Sequence, residues 1–395
     1  SGFDIKRERK KGLRRKVAVL CDLTGFGAGA RLPQRKFSGP EPQKADPKDA
    51  RMIKFSKPLG GIVDFKKSLH EDDALRLEEL IRVSEVYLSQ PERKLCKNCA
   101  NKLAGAKDSF VKMGVKYVFY DRCGHLNGSR EDTREFCEFL YTKDDGKDYA
   151  SHYKEEDRER FIDRMARIYS PKAEFLKQAL EERQVAPEDM TLSDFGAGAG
   201  YFLGAAREQG FLSVKGFESS QFMVDFGNEC MKDNLLELCG MGETATAVRA
   251  SRSNIASFIG ALEHFNNPRE VLSAIRDNTN INYVFILIPM FSPSVVVESV
   301  FEGVAPRLLV GAHTHLYTLR SISHMCGEFG FKIISEWWFG QDAADLYRSI
   351  LASLMKKGAD AAFLADYWRD EFKPLLDDFQ SLIDRKKCAA RLISC

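Results

Sequence analysis

Blocks of apolar and polar residues alternate over the second half of the chain, which predicts strands followed by helices. Residues 191–194 are predicted to form a short buried strand that ends in an acidic residue, and a glycine-rich turn leads from it into a helical segment that ends near Gly210. Residues 214–217 form a second strand closed by Glu218, and residues 283–289 are a continuous apolar run typical of a central parallel strand covered on both faces. This alternation predicts a doubly wound α/β sheet.

Other segments have weaker patterns. We expect a helix over residues 220–238 and a fourth strand over 254–259, with only a weak stretch at 243–249 to mark a third strand. An amphipathic helix is expected over 71–89. Residues 361–395 have the pattern of helices and are predicted to form a C-terminal appendage.

The turn after the first of these strands has the composition of a nucleotide-cofactor loop. Asp194 is followed by Gly196, Gly198 and Gly200, and the missing side chains let a ligand approach the backbone and the first amides of the helix. Glu218 lies 22 positions after Gly196, near the interval at which a carboxylate accepts hydrogen bonds from both ribose hydroxyls of a cofactor. The spacing therefore predicts an adenosine cofactor.

The pattern Asp-x-Gly-x-Gly-x-Gly resembles motif I of the class I S-adenosylmethionine (SAM) methyltransferases. Residues 259–268, with Leu-Glu-His followed by Pro, resemble the segment after the fourth strand of that family. Residues 313–320 and 329–334 are similar to its landmarks near the sixth strand. The resemblance covers about residues 150–350 and implies a seven-stranded Rossmann-like methyltransferase sheet and an enzyme that uses SAM.

The resemblance also implies which residues bind the cofactor. In similar enzymes the segment ahead of the glycine loop lies over the cofactor with a Tyr-x-x-x-Tyr pattern and an arginine, to which Tyr149, Tyr153 and Arg164 correspond. Simple helix packing explains these three equally well. The full set expected to contact SAM is Asp194, Gly196, Gly198, Gly200, Tyr201, Glu218, Ser219, Tyr153 and Arg164.

Methyl transfer to a hydroxyl needs a base, because an alcohol has a pKa far above neutrality, and histidine suits this role with a pKa of about 6.5. His264 follows the fourth strand, at the edge where open α/β sheets bind substrates. His313 and His315 alternate, so in an extended segment their side chains point to the same side as Tyr317. With Glu263 these are the candidate catalytic residues, and a structural role is the alternative for each.

The same polar residues favour a hydroxylated acceptor. We expect a sugar or another small polar metabolite as acceptor, with a role in glycan assembly and with O-methylation favoured. Trp337 and Trp338 are candidate stacking surfaces for it, and core packing is an equally good explanation for them.

A cysteine pattern precedes the cofactor region. Cys96 and Cys99 form a C-x-x-C half-site, and Cys123 follows after 23 residues in a second half that lacks its other cysteine. The fourth ligand of a zinc ion would be His125 or, second, Cys137. The segment resembles the small zinc ribbons that precede the catalytic domain in some SAM methyltransferases acting on sugars. The alternative is a degenerate ribbon that binds no metal.

Charge and hydropathy bear on possible nucleic-acid and membrane partners and on the cellular compartment. A net charge of +2 over 395 residues gives no support for a chain-wide nucleic-acid surface, although residues 6–16 form a basic run. The most apolar segment, 283–291, is far shorter than the roughly 20 residues that cross a bilayer, so we expect no transmembrane span. Because there is no apolar leader, we expect a reducing cytoplasm, where the ten cysteines are thiols or metal ligands.

The predicted organisation has four parts: a region of unknown role at 1–90, a zinc-ribbon-like segment at 91–145, the methyltransferase domain at 146–358 and the helical appendage at 359–395. Two other functions stay open. A nicotinamide-dependent oxidoreductase shares the strand-helix-strand logic but favours Gly-x-x-Gly in its loop. A nucleic-acid-binding or scaffold protein with a vestigial cofactor fold would use the basic run and the cysteine segment.

Overall fold

The structure is a computed structural model that describes residues 51–59, 73–106, 108–141, 157–309, 311, 313–387 and 391–395. Its strands are β1 (Met52–Phe55), β2 (Ser109–Lys112), β3 (Val115–Tyr120), β4 (His125–Gly128), β5 (Thr191–Phe195), β6 (Ser213–Glu218), β7 (Leu236–Leu238), β8 (Ile255–Ile259), β9 (Tyr283–Ile288), β10 (His315–Leu316), β11 (Ser335–Trp338) and β12 (Arg391–Ser394). The basic run at 6–16, Tyr149 and Tyr153 lie outside the described residues.

The helices cover both faces of the larger sheet and the C-terminal part of the chain. They are α1 (Asp73–Leu88), α2 (Arg134–Tyr141), α3 (Arg158–Arg164), α4 (Ser170–Glu181), α5 (Tyr201–Glu208), α6 (Gln221–Met231), α7 (Thr244–Ala250), α8 (Pro268–Asp277), α9 (Pro293–Val300), α10 (Leu319–Phe329), α11 (Asp342–Met355), α12 (Ala362–Phe372) and α13 (Leu376–Arg385). A π-helical turn, Met165–Tyr169, joins α3 to α4.

The larger sheet has the strand order β1-β11-β12-β9-β8-β5-β6-β7. Strands β5 to β9 pair in parallel, β12 runs antiparallel between β9 and β11, and β1 lies parallel to β11 at one edge. Strand β5 lies between β6 and β8, so the order of connection reverses there, and the crevice at such a switch point is where α/β sheets bind ligands. The predicted α/β, Rossmann-like sheet is confirmed.

Two segments differ from the predicted secondary structure. Residues 391–394 were expected to be helical but form β12, because this short apolar segment gains a hydrogen-bonded partner strand on each side. The third strand is Leu236–Leu238, within the segment predicted as helix, since α6 already ends at Met231. Residues 244–250, the weak stretch, form helix α7 instead.

The predicted domain boundaries stay predictions, and both sheets combine strands from more than one of the predicted parts. The sheet that should lie within 146–358 includes β1 and β12 from outside that range, so among the described residues it has eight strands and not seven. The ribbon-like segment supplies β2, β3 and β4, and these form a second sheet with β10, which lies between β9 and β11 in the chain. All described residues belong to one unit, 47–395.

Both faces of the larger sheet are covered by apolar side chains. Phe175, Phe202 and Phe285 pack in one cluster, while Phe258 and Ile286 pack in the cluster on the other face. Trp337 and Trp338, neighbours on β11, point to opposite faces and are 2% and 0% exposed. The tryptophans are core residues, so their predicted role as stacking surfaces for an acceptor is wrong.

The C-terminal strand generates a stability prediction. Ile393 on β12 is 0% exposed and packs in the second cluster, so Ile393→Ala should lower the free energy of unfolding by about 2–5 kcal/mol. Leu382→Ala on α13, where the leucine is 62% exposed, is the control and should change it by less than about 0.5 kcal/mol. Urea denaturation measures both, and equal small effects would mean that β12 is not part of the core.

Candidate active site

The glycine loop between β5 and α5 has the backbone that its sequence requires. Gly196, Gly198 and Gly200 have φ angles of 76°, 54° and 78°, which residues with a side chain rarely adopt. A Cβ atom at Gly196 would lie 2.6 Å from the Cβ of Ala261, in the segment after β8. At Gly198 a Cβ would meet no atom within 4 Å, so the middle of the loop faces open space. The loop is therefore packed at its start and accessible at its centre.

Glu218 is fixed against this loop. One carboxylate oxygen, Oε2, accepts a hydrogen bond of 2.8 Å from the Gly198 amide. The other, Oε1, accepts from the Ser220 amide at 3.0 Å and from the Ser219 hydroxyl at 3.2 Å. Three of the roughly four acceptor positions of the carboxylate are used in this way, so about one remains for a hydroxyl group of a ligand. The structure thus brings Glu218, Ser219 and the glycine loop together.

Asp194 lies under the loop and not on its surface. It is 1% exposed, and its Oδ1 accepts a hydrogen bond of 2.7 Å from the hydroxyl of Ser257 on β8. Burial raises the pKa of Asp194 to about 7, helped by the Glu218 charge and opposed by the Ser257 hydrogen bond. The sequence analysis missed Ser257, and the signal for it was a small polar residue in an otherwise apolar central strand.

The predicted contacts ahead of the loop are only partly described. The Tyr201 ring is 3% exposed and stacks on Phe161 and Tyr169, with centroid separations of 4.6 and 5.2 Å. The Arg164 guanidinium lies 5.6 Å from the Tyr201 ring centroid. Tyr201, the first residue of α5 after the loop, therefore packs on α3 and on the π-helical turn, and Arg164 lies beside its ring. Nothing is described for Tyr153.

The turn after β8 gathers the polar residues of the second half of the site. Leu262–His264 is a short 3-10 helix that starts two residues after Gly260. The His264 and His313 rings stack with centroids 5.0 Å apart and planes within 15° of parallel. Glu263 Oε1 is 3.8 Å from His264 Nε2, and one ligating atom from each of Glu263, His264 and His313 lies within 4.8 Å of the other two.

The ionisation of this group follows from its burial. Desolvation raises the pKa of Glu263 to about 8, against the nearby Lys97 charge. Desolvation and the charge of Arg307 lower the pKa of His313 to about 4, so His313 is neutral at pH 7. Because Ala261 of the same turn packs on Gly196, this group lies beside the cofactor loop.

His315 is held by protein on both ring nitrogens. Its Nε2 donates to the carbonyl oxygen of Glu263 at 3.0 Å, so in the neutral ring Nδ1 is the acceptor, and it receives a 2.8 Å hydrogen bond from His125 Nε2. Burial lowers the pKa of both histidines well below the usual value, which keeps them neutral. His315 thus positions the Glu263 turn, and this geometry does not support its assignment as a base.

Tyr317 belongs to the same buried cluster. It is 1% exposed, and its ring lies 4.7 Å from that of His125 and 5.5 Å from that of His315, edge to face in both cases. Burial raises the pKa of its phenol. Tyr317 is therefore a packing partner of the two histidines and not an ionisable catalytic group.

Three cysteines come together as predicted from their spacing, but His125 does not join them. Cys96, Cys99 and Cys123 are buried, their sulfurs lie within 4.8 Å of one another, and the Sγ atoms of Cys96 and Cys123 are 3.5 Å apart. His125 lies outside this group and its Nε2 is hydrogen-bonded to His315 Nδ1, so its role as fourth ligand stays a prediction. Cys137, the second choice, is also outside the three-cysteine group.

Amide groups surround the cysteine sulfurs. Asn127 Nδ2 donates to Cys96 Sγ at 3.5 Å, and Asn101 Nδ2 donates to Cys99 Sγ at 3.3 Å. Such donors stabilise negative charge on sulfur, as the thiolate ligands of a metal require. They could not be predicted from spacing, because asparagine is common in turns for other reasons.

Lys97 connects the cysteine cluster to the histidines. Its ammonium forms an ion pair with Asp132, which Arg93 also binds at 2.9 Å, and its backbone amide donates to Asn127 Oδ1 at 2.9 Å. All three charged groups are buried. The sequence analysis missed them, since a lysine inside C-x-x-C is ordinarily exposed.

The sheet, the loop and the carboxylate at the end of β6 have the arrangement that α/β proteins use to bind a nucleotide cofactor. Residues 155–336, just under half of the chain, match a family model described as a methyltransferase domain. This region therefore matches a methyltransferase domain. A search of curated proteins gives no match. In the parts of the chain that the structure describes, every helix is too short or too polar to cross a membrane.

Several solved structures are similar at low identity. A putative sarcosine dimethylglycine methyltransferase from Galdieria sulphuraria has 15% identity and a TM-score of 0.38, over 64% of this chain and 97% of that one. A magnesium protoporphyrin IX methyltransferase from Synechocystis, with bound SAH, has 14% identity and a TM-score of 0.36, over 50% of this chain and 87% of that one. A SAM-dependent methyltransferase from Geobacter sulfurreducens, in complex with S-adenosyl-L-homocysteine, has 16% identity and a TM-score of 0.33, over 57% of this chain and 89% of that one.

The position of Glu218 generates a binding prediction. Glu218→Ala removes the acceptor for ribose hydroxyls, and each charge-assisted hydrogen bond contributes about 1.5–3 kcal/mol, so the Kd for SAM should rise by one to a few factors of ten. Glu237→Ala on the adjacent strand, with an exposed carboxylate paired to Lys215, is the control. Isothermal titration with SAM measures both, and an unchanged Kd in Glu218→Ala would exclude this contact.

Proposed function

We propose that the protein transfers a methyl group from SAM to a hydroxyl of a small polar acceptor, with a sugar or glycan favoured. The observation that carries the proposal is the contact between the two halves of the site. Ala261 packs on Gly196, so the turn that holds Glu263 and His264 adjoins the loop expected to hold the cofactor. An acceptor bound at this turn would lie next to the methyl donor.

The residues of the loop fit SAM. The open space in front of Gly198 accommodates a ligand against the backbone, and Glu218 adds a fixed carboxylate at the end of the second strand. When bound, SAM supplies an electrophilic methyl group on a sulfonium. The protein then has to align the acceptor with that methyl group and to keep water away from it.

The group of Glu263, His264 and His313 is placed to accept the proton of the acceptor hydroxyl. A hydroxyl has to lose its proton as the new bond forms, and a positioned side chain accelerates this by about 10²–10⁴. The side chain of His264 is 17% exposed and that of Glu263 is 3% exposed. His264 and His313 are both partly accessible, and the lowered pKa of His313, about 4, makes it the weaker base, so His264 is favoured over His313 and over the fully buried His315.

The choice of a sugar acceptor depends on the cysteine segment, which resembles zinc ribbons of sugar methyltransferases. We further propose that Cys96, Cys99 and Cys123 bind zinc as thiolates. Their sulfurs are close enough to share one ion, and Asn101 and Asn127 stabilise the negative charge. A cation held there would fix the position of Lys97, which lies between Cys96 and Cys99 in the sequence. Lys97 forms an ion pair with Asp132, and its charge acts on His315.

The function is tested by cofactor and acceptor experiments with the whole chain. Isothermal titration should give micromolar binding of SAM and S-adenosylhomocysteine, and SAM but not NAD should raise the melting temperature. A panel of mono- and disaccharides with methyl-labelled SAM should contain an acceptor. No heat with either SAM ligand would exclude methyl transfer, whereas binding without any sugar product would exclude only the proposed acceptor.

A substitution separates catalysis from cofactor binding. With a sugar identified from the panel, His264→Ala should lower kcat by about 10²–10⁴ and leave the Kd for SAM nearly unchanged. His324→Ala on α10 is the matched control, because this histidine is also partly exposed and pairs with Glu328 outside the group. An unchanged kcat in His264→Ala, or a parallel loss of SAM binding, would contradict the assignment.

The cysteine site has a separate metal prediction. Cys96→Ser should contain about one zinc ion per chain less than the wild-type protein, because a structural zinc needs its thiolates. Cys239→Ser changes a buried cysteine outside the cluster and should keep the wild-type content. Elemental analysis of the purified proteins measures this. Equal metal in all three proteins would leave the degenerate ribbon as the explanation.

A further inference from the structure

We infer that Glu263, His264 and His313 form a binding site for a divalent metal ion of the Mn²⁺, Co²⁺ or Zn²⁺ kind. The three ligating atoms lie within 4.8 Å of one another. Ligands at about 2.0–2.2 Å from one ion are at most about 4.4 Å apart, so small side-chain adjustments bring all three into coordination. Two imidazoles and one carboxylate suit a first-row divalent metal and leave coordination positions open.

A buried carboxylate oxygen points to the ligand. The Glu263 side chain is 3% exposed, and within the described residues its Oε2 has no hydrogen-bond partner. A buried polar atom without a partner costs free energy, and the cost is larger for a charged group. A cation coordinated by this oxygen would remove that cost. The absence of a side chain at Gly260, whose Cβ would lie 3.8 Å from Oε1, leaves room beside the carboxylate.

The frame around the group is already in place. His315 Nε2 holds the carbonyl oxygen of Glu263 at 3.0 Å, which fixes the turn from behind. The nearly parallel stack of His264 and His313 keeps the two imidazole edges side by side. A hydrogen bond within the cluster does not account for this arrangement, since the distance from Glu263 Oε1 to His264 Nε2 is 3.8 Å, longer than a hydrogen bond.

The positively charged side chains near the group would not repel a metal ion strongly, because each forms an ion pair with a carboxylate. Arg307, the positive charge next to His313, donates from Nε to both oxygens of Asp345 at 3.0 Å. Lys97 and Arg93, on the other side of the cluster, share Asp132. Arg93 also forms an ion pair of 3.1 Å with Glu131. Arg307, Lys97 and Arg93 are thus each paired with a carboxylate other than Glu263.

The site deepens the proposed function, and its role in the reaction rests on that function, while metal binding does not. A cation beside the acceptor lowers the pKa of a hydroxyl that it contacts. With the ion bound, His264 acts as its ligand and no longer as the base itself. The hydroxyl proton leaves to solvent, the acceptor oxygen forms a bond to the methyl carbon, and the carbon–sulfur bond breaks with its electron pair kept by sulfur. Open coordination positions favour an acceptor with two adjacent oxygens, such as a vicinal diol.

Manganese binding tests the site in the whole chain, without SAM or an acceptor. Mn²⁺ prefers oxygen and nitrogen ligands to thiolates, so it distinguishes this group from the three cysteines. After chelator treatment and dialysis, paramagnetic resonance of free Mn²⁺ should show about one bound ion per chain in the wild type and in His324→Ala. Glu263→Gln and His313→Ala should weaken binding at least about tenfold, since each removes one of three ligands.

The outcomes separate the site from the function. No bound Mn²⁺ in the wild type, or equal binding in Glu263→Gln and His313→Ala, would overturn the inference. Since Glu263 is buried, His264→Asn is measured in parallel, and it decides the question if Glu263→Gln does not fold. SAM titration of the same samples is independent. Loss of Mn²⁺ with SAM binding intact supports the site, while Mn²⁺ binding by a protein that binds no SAM refutes the function alone.

Discussion

The placement of β5 between β6 and β8 determines the geometry of the whole site. Parallel pairing on both sides makes the three strands end at one edge of the sheet. The glycine loop follows β5, Glu218 is the last residue of β6, and the Glu263 turn follows β8. The pairing of the three strands is therefore enough to bring these groups together. The contact of Gly196 with Ala261 follows from this arrangement, and any larger residue at Gly196 would push the two halves of the site apart.

A second constraint comes from the small sheet. Strand β10 pairs with β4, which ties the cysteine segment to the chain that carries His313, His315 and Tyr317. The register of this pair puts His315 opposite Asn127, and the ring of His315 then meets that of His125. The cysteine segment is thus one wall of the site and not a separate module.

Local sequence predicted the parts that depend on local physics. The apolar run of β9, the glycine loop and Glu218 each follow from periodicity or from backbone freedom, and they are present as expected. Strands β1 and β12 could not be predicted in this way, because a segment of only four residues is too short to show a periodicity and becomes a strand only when partner strands are available. Their positions depend on the sheet being formed already.

Spacing predicted that the three cysteines come together, but it did not predict that His125 pairs with His315. A ligand pattern describes distance along the chain, whereas the direction of a side chain depends on its partners, and here His315 competes for His125. The sequence also did not predict the buried network of Lys97, Asp132 and Arg93. Each of these charges is stable in the core only when its partners are present, and the partners are distant in the sequence.

That network also explains why the candidate acceptor site needs the cysteine segment. Removing one member of a buried ion pair typically costs about 3–5 kcal/mol, because the other charge stays behind without a partner. Lys97 therefore has to remain beside Asp132, and its position is set by the cysteines on either side of it. The positive charge that acts on His125, His315 and Glu263 is thus set by the cysteine cluster. Order in the cysteine segment and the electrostatics of the Glu263 turn are consequently parts of one structural unit.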